Sequence, residues 1–175
     1  MEKTLEMIEG VLADKILVID GAMGTMIQNH GPSEAEYRGE RFADWESDLQ
    51  GNNDLLTLTA PDLIRGIHRE YAEAGAQVIT TNTFSSTTIA QADYQMEDLV
   101  YELNFESAKL AREACDNVTA QDPTNPRFVA GSVGPTNRTG SISPDVEDPG
   151  FRNVTFMELV EAYKQQIAAL VDGGS

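Results

Sequence analysis

The strongest constraint on this chain is a pattern that occurs three times: a short apolar, β-branched run that leaves through a polar or glycine-bearing exit. Residues 15–21 run through Ile16, Leu17, Val18 and Ile19 into Asp20 and Gly21. Residues 77–82 run through Val78 and Ile79 into Thr80, Thr81 and Asn82, and residues 127–131 through Phe128 and Val129 into Gly131. Runs this short and this apolar belong to strands covered on both faces, as in a parallel sheet. Helical periodicity fills the intervals. Residues 61–74 place Leu63, Ile64, Ile67, His68 and Tyr71 on one face, with Thr59 as expected N-cap, Pro61 in the first turn and Gly75 just past the end. Residues 97–116 carry Leu99, Leu103, Leu110 and Ala114 as a stripe. A further helix starts at Thr155, whose spacing to Glu158 is a capping box, and is expected to turn Val160, Tyr163, Ile167 and Val171 inward. A helix over residues 4–13 is expected on the outside. The order is a helix, then strand and helix three times, which predicts an α/β fold with a parallel sheet and right-handed crossovers.

Composition narrows the function classes. A chain of 175 residues that is 41% hydrophobic has the material for one domain with a core. Twenty-nine acidic residues against 12 basic ones give a net charge of −17. A field of that sign repels phosphate backbones and anionic membrane surfaces, so neither nucleic acid nor membrane is an expected partner. The apolar runs are far shorter than the ~18 residues of a membrane span. The first thirty residues mix charges into the apolar positions, unlike a signal peptide, and the expected location is the cytoplasm. Cys115 is the single cysteine. It permits no intrachain disulfide and no multi-thiolate metal site, and its place late in a helix predicts a small buried thiol.

The long connections all follow the carboxyl ends of the runs, the rim where α/β folds build their sites. Asp20 has two readings there: a carboxylate that receives a cation such as an amino group, or a cap for a short helix starting near Gly24. Residues 80–86 gather hydroxyls and the Asn82 amide, which serve either a polar small molecule or local turns. Residues 131–139 expose backbone N–H groups beside Thr136. Three such exits on one rim converge geometrically on a ligand site. His30 and His68 form no metal-ligand pattern, His68 is expected to be packed on its helix, and Trp45 is expected to anchor the first long loop. The ending, residues 170–175, repeats the first half of the helix-to-strand turn at residues 72–79. It reads as the approach to a fourth strand, so the chain is expected to be a piece of a larger fold.

Taken together, the motifs resemble a known family. Asp20-Gly21-Ala22-Met23-Gly24-Thr25, Gly51-Asn52-Asn53-Asp54, Thr81-Asn82-Thr83-Phe84 with Ala92-Asp93-Tyr94, Gly134-Pro135-Thr136-Asn137-Arg138-Thr139 and Ser143-Pro144-Asp145-Val146 are similar to the homocysteine-binding domain of the cobalamin-dependent methionine synthases, within the homocysteine methyltransferases. The resemblance implies that residues 1–175 are the first part, about three βα units, of a (β/α)8 TIM barrel. It implies a parent enzyme that moves a methyl group from methylcobalamin, ultimately from methyltetrahydrofolate, to the zinc-bound thiolate of homocysteine. It places Asp20 on the substrate's amino group, with Gly21 and Ala22 lining the site and Asn82, Thr83 and Thr136 as walls. Zinc and methylcobalamin belong to the intact parent, with its folate- and cobalamin-binding domains as partners. The family's zinc cysteines lie on late strands, so no residue of this chain is given a catalytic or metal-binding role, and the chain alone is expected to be inactive. Alternatives are a homocysteine methyltransferase using betaine or S-methylmethionine, and a non-catalytic α/β binding module.

Overall fold

A computed structural model describes residues 2–175. Among the described residues eight α-helices and two strands follow one another: α1 (Glu2–Asp14), α2 (Met23–His30), α3 (Glu34–Arg38), α4 (Leu56–Thr59), α5 (Pro61–Glu73), β1 (Val78–Thr80), α6 (Thr88–Gln91), α7 (Val100–Gln121), β2 (Phe128–Ala130) and α8 (Phe156–Asp172), with 3-10 turns at Asn53–Leu55, Ala92–Tyr94 and Glu97–Leu99. β1 and β2 pair in parallel, with Val78 opposite Phe128 and Thr80 opposite Ala130. The first apolar run does not become a full strand. It joins the sheet through one parallel bridge, Ile19 to Val78, with the Gln77 and Val78 amides donating to Val18 O and the Asp20 amide to Val78 O. The spatial order is therefore first run, β1, β2, all pointing the same way. The result is an α/β fold of mostly helices with a short parallel sheet.

Local chemistry explains the helix bounds. Proline opens α5, and Gly75 follows its end at φ +111°, a conformation that glycine adopts without strain. The N-cap of α5 is Ala60 rather than the expected Thr59, because Thr59 is taken up as the last residue of α4. At α8, Thr155 and Glu158 form the expected capping box, Glu158 N donating to Thr155 Oγ1 at 3.2 Å.

The inward face of α8 differs from the expected one. Ile167 and Val171 are about half exposed, and the buried positions are Ala162, Gln166, Ala169 and Leu170. Close packing against α7 decides this. A Cβ on Gly173 would lie 2.4 Å from Phe105 O, so the end of α8 approaches the α7 backbone closely, and Ala162 and Ala169 share the buried side with Gln166 and Leu170. α7 is covered on two sides, by α5 and α8, and buries Leu103, Leu110 and Ala114 together with Val100, Ala108, Ala111 and Val118. The main core forms where α5 and α7 meet the first long connection. It joins Ile64, Ile67 and Leu103 to Tyr37, Phe42, Leu49, Leu55 and Leu56. Trp45 packs against this cluster, meets the Phe42 ring edge-on at 5.6 Å, and donates its indole N–H to Tyr94 O at 2.9 Å. Among the described residues no helix is long and apolar enough to cross a membrane.

Candidate functional site

The carboxyl ends of the three parallel segments open into one cleft of about 680 Å³. Its walls come from residues 21–24, from residues 51–54, from residues 80–85 after β1, and from Ser132 and residues 135–137 after β2. Of the residues expected at a site, Gly21, Ala22, Asn82, Thr83 and Thr136 all line this cleft. Asp20, half-buried, adjoins the lining residues Gly21 and Thr80 without itself lining the cleft. Each of its oxygens accepts from Thr80, with the Thr80 amide on Oδ2 at 3.0 Å and the Thr80 hydroxyl on Oδ1 at 2.8 Å. Burial raises the Asp20 pKa, against the lowering effect of those two bonds. It does not cap the following helix: α2 begins after Ala22, which sits in the left-handed region at φ 49° and offers no side-chain cap.

The second exit is held by a buried polar network. Asn82 N donates to Ser107 Oγ at 2.9 Å, and its amide group donates to Asn53 O at 2.8 Å. Thr81 and Thr83 share a hydroxyl bond of 2.6 Å; Thr81 Oγ1 also accepts from Ser132 N, and Thr83 Oγ1 donates to Ser132 O. Gln166, fully buried on α8, donates to Thr83 O at 2.8 Å. The two exits after β1 and β2 are thereby tied to each other and to α8. Burying this many polar groups is tolerated because nearly all of them find partners. Thr136 donates to Arg138 O at 2.6 Å, which shapes its own loop.

Gly51 to Asp54, a motif to which the sequence alone gives no role, also forms part of the wall. Asp54 is 5% exposed and accepts from Ser85 N at 2.7 Å and Ser86 Oγ at 2.8 Å. Burial pushes its pKa up to about 6, against the lowering effect of those two donors. Asn52 and Gln91, both buried, exchange amide bonds of 2.8 and 3.2 Å, and Tyr37 OH donates to Asn53 Oδ1 at 2.7 Å. The available signal was an amide-rich stretch with a carboxylate, Gly-Asn-Asn-Asp, at the end of a long connection after the first run.

The fit to a metal is poor. Among the described residues no three His, Cys, Asp or Glu side chains come together to hold an ion. Cys115 is buried on α7 with its thiol on Phe128 O, at the opposite end of β2 from the cleft, and burial pushes its pKa up to about 11. His68 is fully enclosed, with neither ring nitrogen partnered, and burial lowers its pKa to about 4.

Residues 17–175 match the family model described as homocysteine S-methyltransferase. Solved structures of the homocysteine methyltransferase MmuM from Escherichia coli are similar to the chain. The oxidized form superposes with a TM-score of 0.69 at 27% identity, covering 94% of this chain and 52% of that one. The metallated form gives 0.67 at 26% identity, over 94% and 53%. The chain thus spans about half the length of the structures it matches.

Proposed function

The chain belongs to the homocysteine S-methyltransferase family, and from that premise we propose that residues 1–175 are the amino-terminal part of a (β/α)8 barrel whose strand exits hold homocysteine while its sulfur receives a methyl group. The observation that carries this reading is the convergence of three parallel exits on one polar cleft, lined by Gly21, Ala22, Asn82, Thr83 and Thr136. Sites in barrels of this kind form at the carboxyl ends of the strands.

Methyl transfer to a thiol is a displacement at carbon, and the attacking species is the thiolate. The family resemblance implies zinc for that activation. The described residues do not fit a zinc site, since no ligand cluster forms among them and the Cys115 thiol is walled off from the cleft. The part proposed for this chain is binding and orientation. The backbone at Gly21 and Ala22, at the start of α2, offers N–H groups to the substrate carboxylate. Asn82 and Thr83, locked by Ser107, Asn53 and Gln166, supply a rigid wall. Asp20, oriented by Thr80, is the carboxylate proposed for the substrate's amino group. Preorganisation of this sort lowers the ordering cost of binding.

The stretch from Gly134 to Phe156, which resembles the methionine synthases, supports methylcobalamin as donor and folate- and cobalamin-binding domains as partners. A second reading takes betaine or S-methylmethionine as donor and keeps the homocysteine acceptor, which the likeness to a homocysteine methyltransferase of E. coli supports. Titrating the chain with L-homocysteine under reducing conditions tests the shared core of both. We expect saturable amide shifts at Gly21, Ala22, Asn82, Thr83 and Thr136, with α1 unaffected and no methyl transfer by the chain on its own. A titration that moves α1 as much as the exits, or moves neither, removes homocysteine from the cleft.

A further inference from the structure

Two fully buried amide side chains each carry an oxygen without a partner, Asn104 Oδ1 on α7 and Gln166 Oε1 on α8. Both turn their N–H groups towards the segment that leaves β1. Asn104 donates to Ser86 O at 2.8 Å and to Val100 O at 2.7 Å. Gln166 donates to Thr83 O at 2.8 Å and reaches Ser132 O at 3.5 Å. An orphaned buried acceptor is destabilising, so each residue is retained for what its donors do.

The two sets of donors do different things. Asn104 satisfies the Ser86 carbonyl, for which the described residues offer no second donor. The carbonyls beneath Gln166 are already served. Thr83 O accepts from Ser86 N at 3.3 Å, and Ser132 O accepts from Thr83 Oγ1 at 2.8 Å. Satisfying polar groups therefore does not require Gln166. Placing them does. Thr83 and Ser132 both line the cleft, on the second and third exits, and α8 itself adds no lining residue. The bonds among Thr81, Thr83 and Ser132 tie the exits only to each other. Gln166 ties both of them to α8, which packs along α7. Tyr163, three residues earlier, donates to Gly134 O at 3.0 Å, so the same stretch of α8 supports the third exit at a second point.

We propose that Gln166 is a positioning residue for homocysteine: holding Thr83 O and Ser132 O with one amide group, it sets the spacing of the two walls between which the substrate lies. This rests on the reading of the cleft as a homocysteine site. The orientation of the amide is dictated by its two acceptors, and the orphaned Oε1 is the consequence. Walls held at their bound spacing before the ligand arrives need no ordering when it does. Gln166 thus favours binding and disfavours folding.

The test compares Gln166→Met with the wild-type 175-residue chain. Methionine has a similar length and shape, and it removes the donors together with the orphaned oxygen. A residue that merely holds the fold together would lose stability and binding in step. Here they are expected to part: the thermal unfolding midpoint stays at or above that of wild type, while L-homocysteine binds roughly two- to tenfold more weakly, the worth of one neutral hydrogen bond. In the free variant the backbone amide shifts are expected to concentrate at residues 83–86 and 132–134. A second measurement needs no variant. The side-chain NH2 resonance of Gln166 in the wild-type chain is expected to shift as homocysteine saturates the cleft. A Gln166→Met chain that binds homocysteine as wild type does, that loses stability along with binding or that fails to fold overturns the positioning role. So does a Gln166 resonance that stays fixed while Gly21 and Asn82 respond. Each of these leaves the homocysteine reading standing, whereas a wild-type chain that does not bind homocysteine overturns both.

Discussion

Residues 15–21 and residues 77–82 lie side by side, run in parallel and open into the same cleft, but they meet opposite environments. Ile16 is 87% exposed, Val18 54% and Ile19 59%, while Ile79 is fully buried against Ala72, Ala76, Ala111, Cys115 and Val118. The first run carries four apolar residues and the second two, and both leave through polar exits. What decides is their neighbours. The second run has a hydrogen-bonded partner on each side and α5 and α7 against it, whereas the first has one partner, reached through a single bridge. A strand is stabilised by cross-strand pairs and by burial of its faces, so apolar content alone does not make one. The same contrast separates the exits. The exit of the second run is buried and cross-linked, and the half-buried Asp20 of the first gains its order by bonding to Thr80 of the second.

Matched truncations break or confirm this contrast. Ile79→Ala empties a fully buried site and is expected to cost about 2–5 kcal/mol in urea unfolding. Ile19→Ala, at a site more than half exposed, is expected to fall within about 1 kcal/mol of wild type. Equal losses would mean that the first run is as well covered as the second.

The next largest effect concerns α5, the helix that delivers the second run. His68 has its pKa lowered to about 4 by burial, against an ordinary value near 6.5 in the unfolded chain. The folded protein therefore binds fewer protons at this residue than the unfolded chain does. Its contribution to stability is intact above about pH 6.5 and is lost as pH falls toward 4, by roughly 3 kcal/mol in all. Unfolding at a series of pH values, wild type against His68→Leu, is expected to show that slope in the difference between them. Asp54 acts with the opposite sign over part of the same window, since its raised pKa makes the folded state hold its proton longer. A difference curve flat between pH 6.5 and 4 would mean that water reaches the imidazole.

The smallest expected effect sharpens the comparison at the third exit. A Cβ on Gly134 would lie 2.3 Å from Phe84 O. Gly134→Ala should push the third exit away from the second, costing about 1–3 kcal/mol and weakening homocysteine binding along with stability. An alanine variant with wild-type stability and binding would show that the two exits are not packed together.

Much of the frame is legible in the residues. The positions of the three runs and the bounds of α5 and α8 follow from local chemistry: a proline at a first turn, a threonine and glutamate three apart, a glycine beyond a helix end. The convergence of Gly21, Asn82, Thr83 and Thr136 on one rim follows from parallel strands all ending on the same side. The core contributed by Tyr37, Phe42, Leu49, Leu55 and Leu56 was not legible, because the long connection that carries them has no sustained period of 3.6 or 2. The inner face of α8 was missed for a related reason. Periodicity favours its large apolar residues, whereas the close approach to α7 buries Ala162 and Ala169 with Gln166 and Leu170 and leaves Ile167 and Val171 half exposed.

The sequence by itself determined local states: where α5 and α8 begin and where α5 stops, where apolar runs give way to polar exits, and that the runs are joined by helices and so lie parallel. These depend on interactions within a few residues, which any fold of this chain must respect. Only the tertiary structure decided which run is buried, which side of α8 faces α7, and which carboxylates line the cleft. Asp20 and Asp54 are both aspartates beside a glycine- or amide-rich exit. One accepts from Thr80 on both oxygens and the other from Ser85 and Ser86 on Oδ2 alone, because the donors that meet them come from residues 60 and about 30 positions away. Hydrogen-bond partners at that separation are set by packing, and packing is a property of the whole chain.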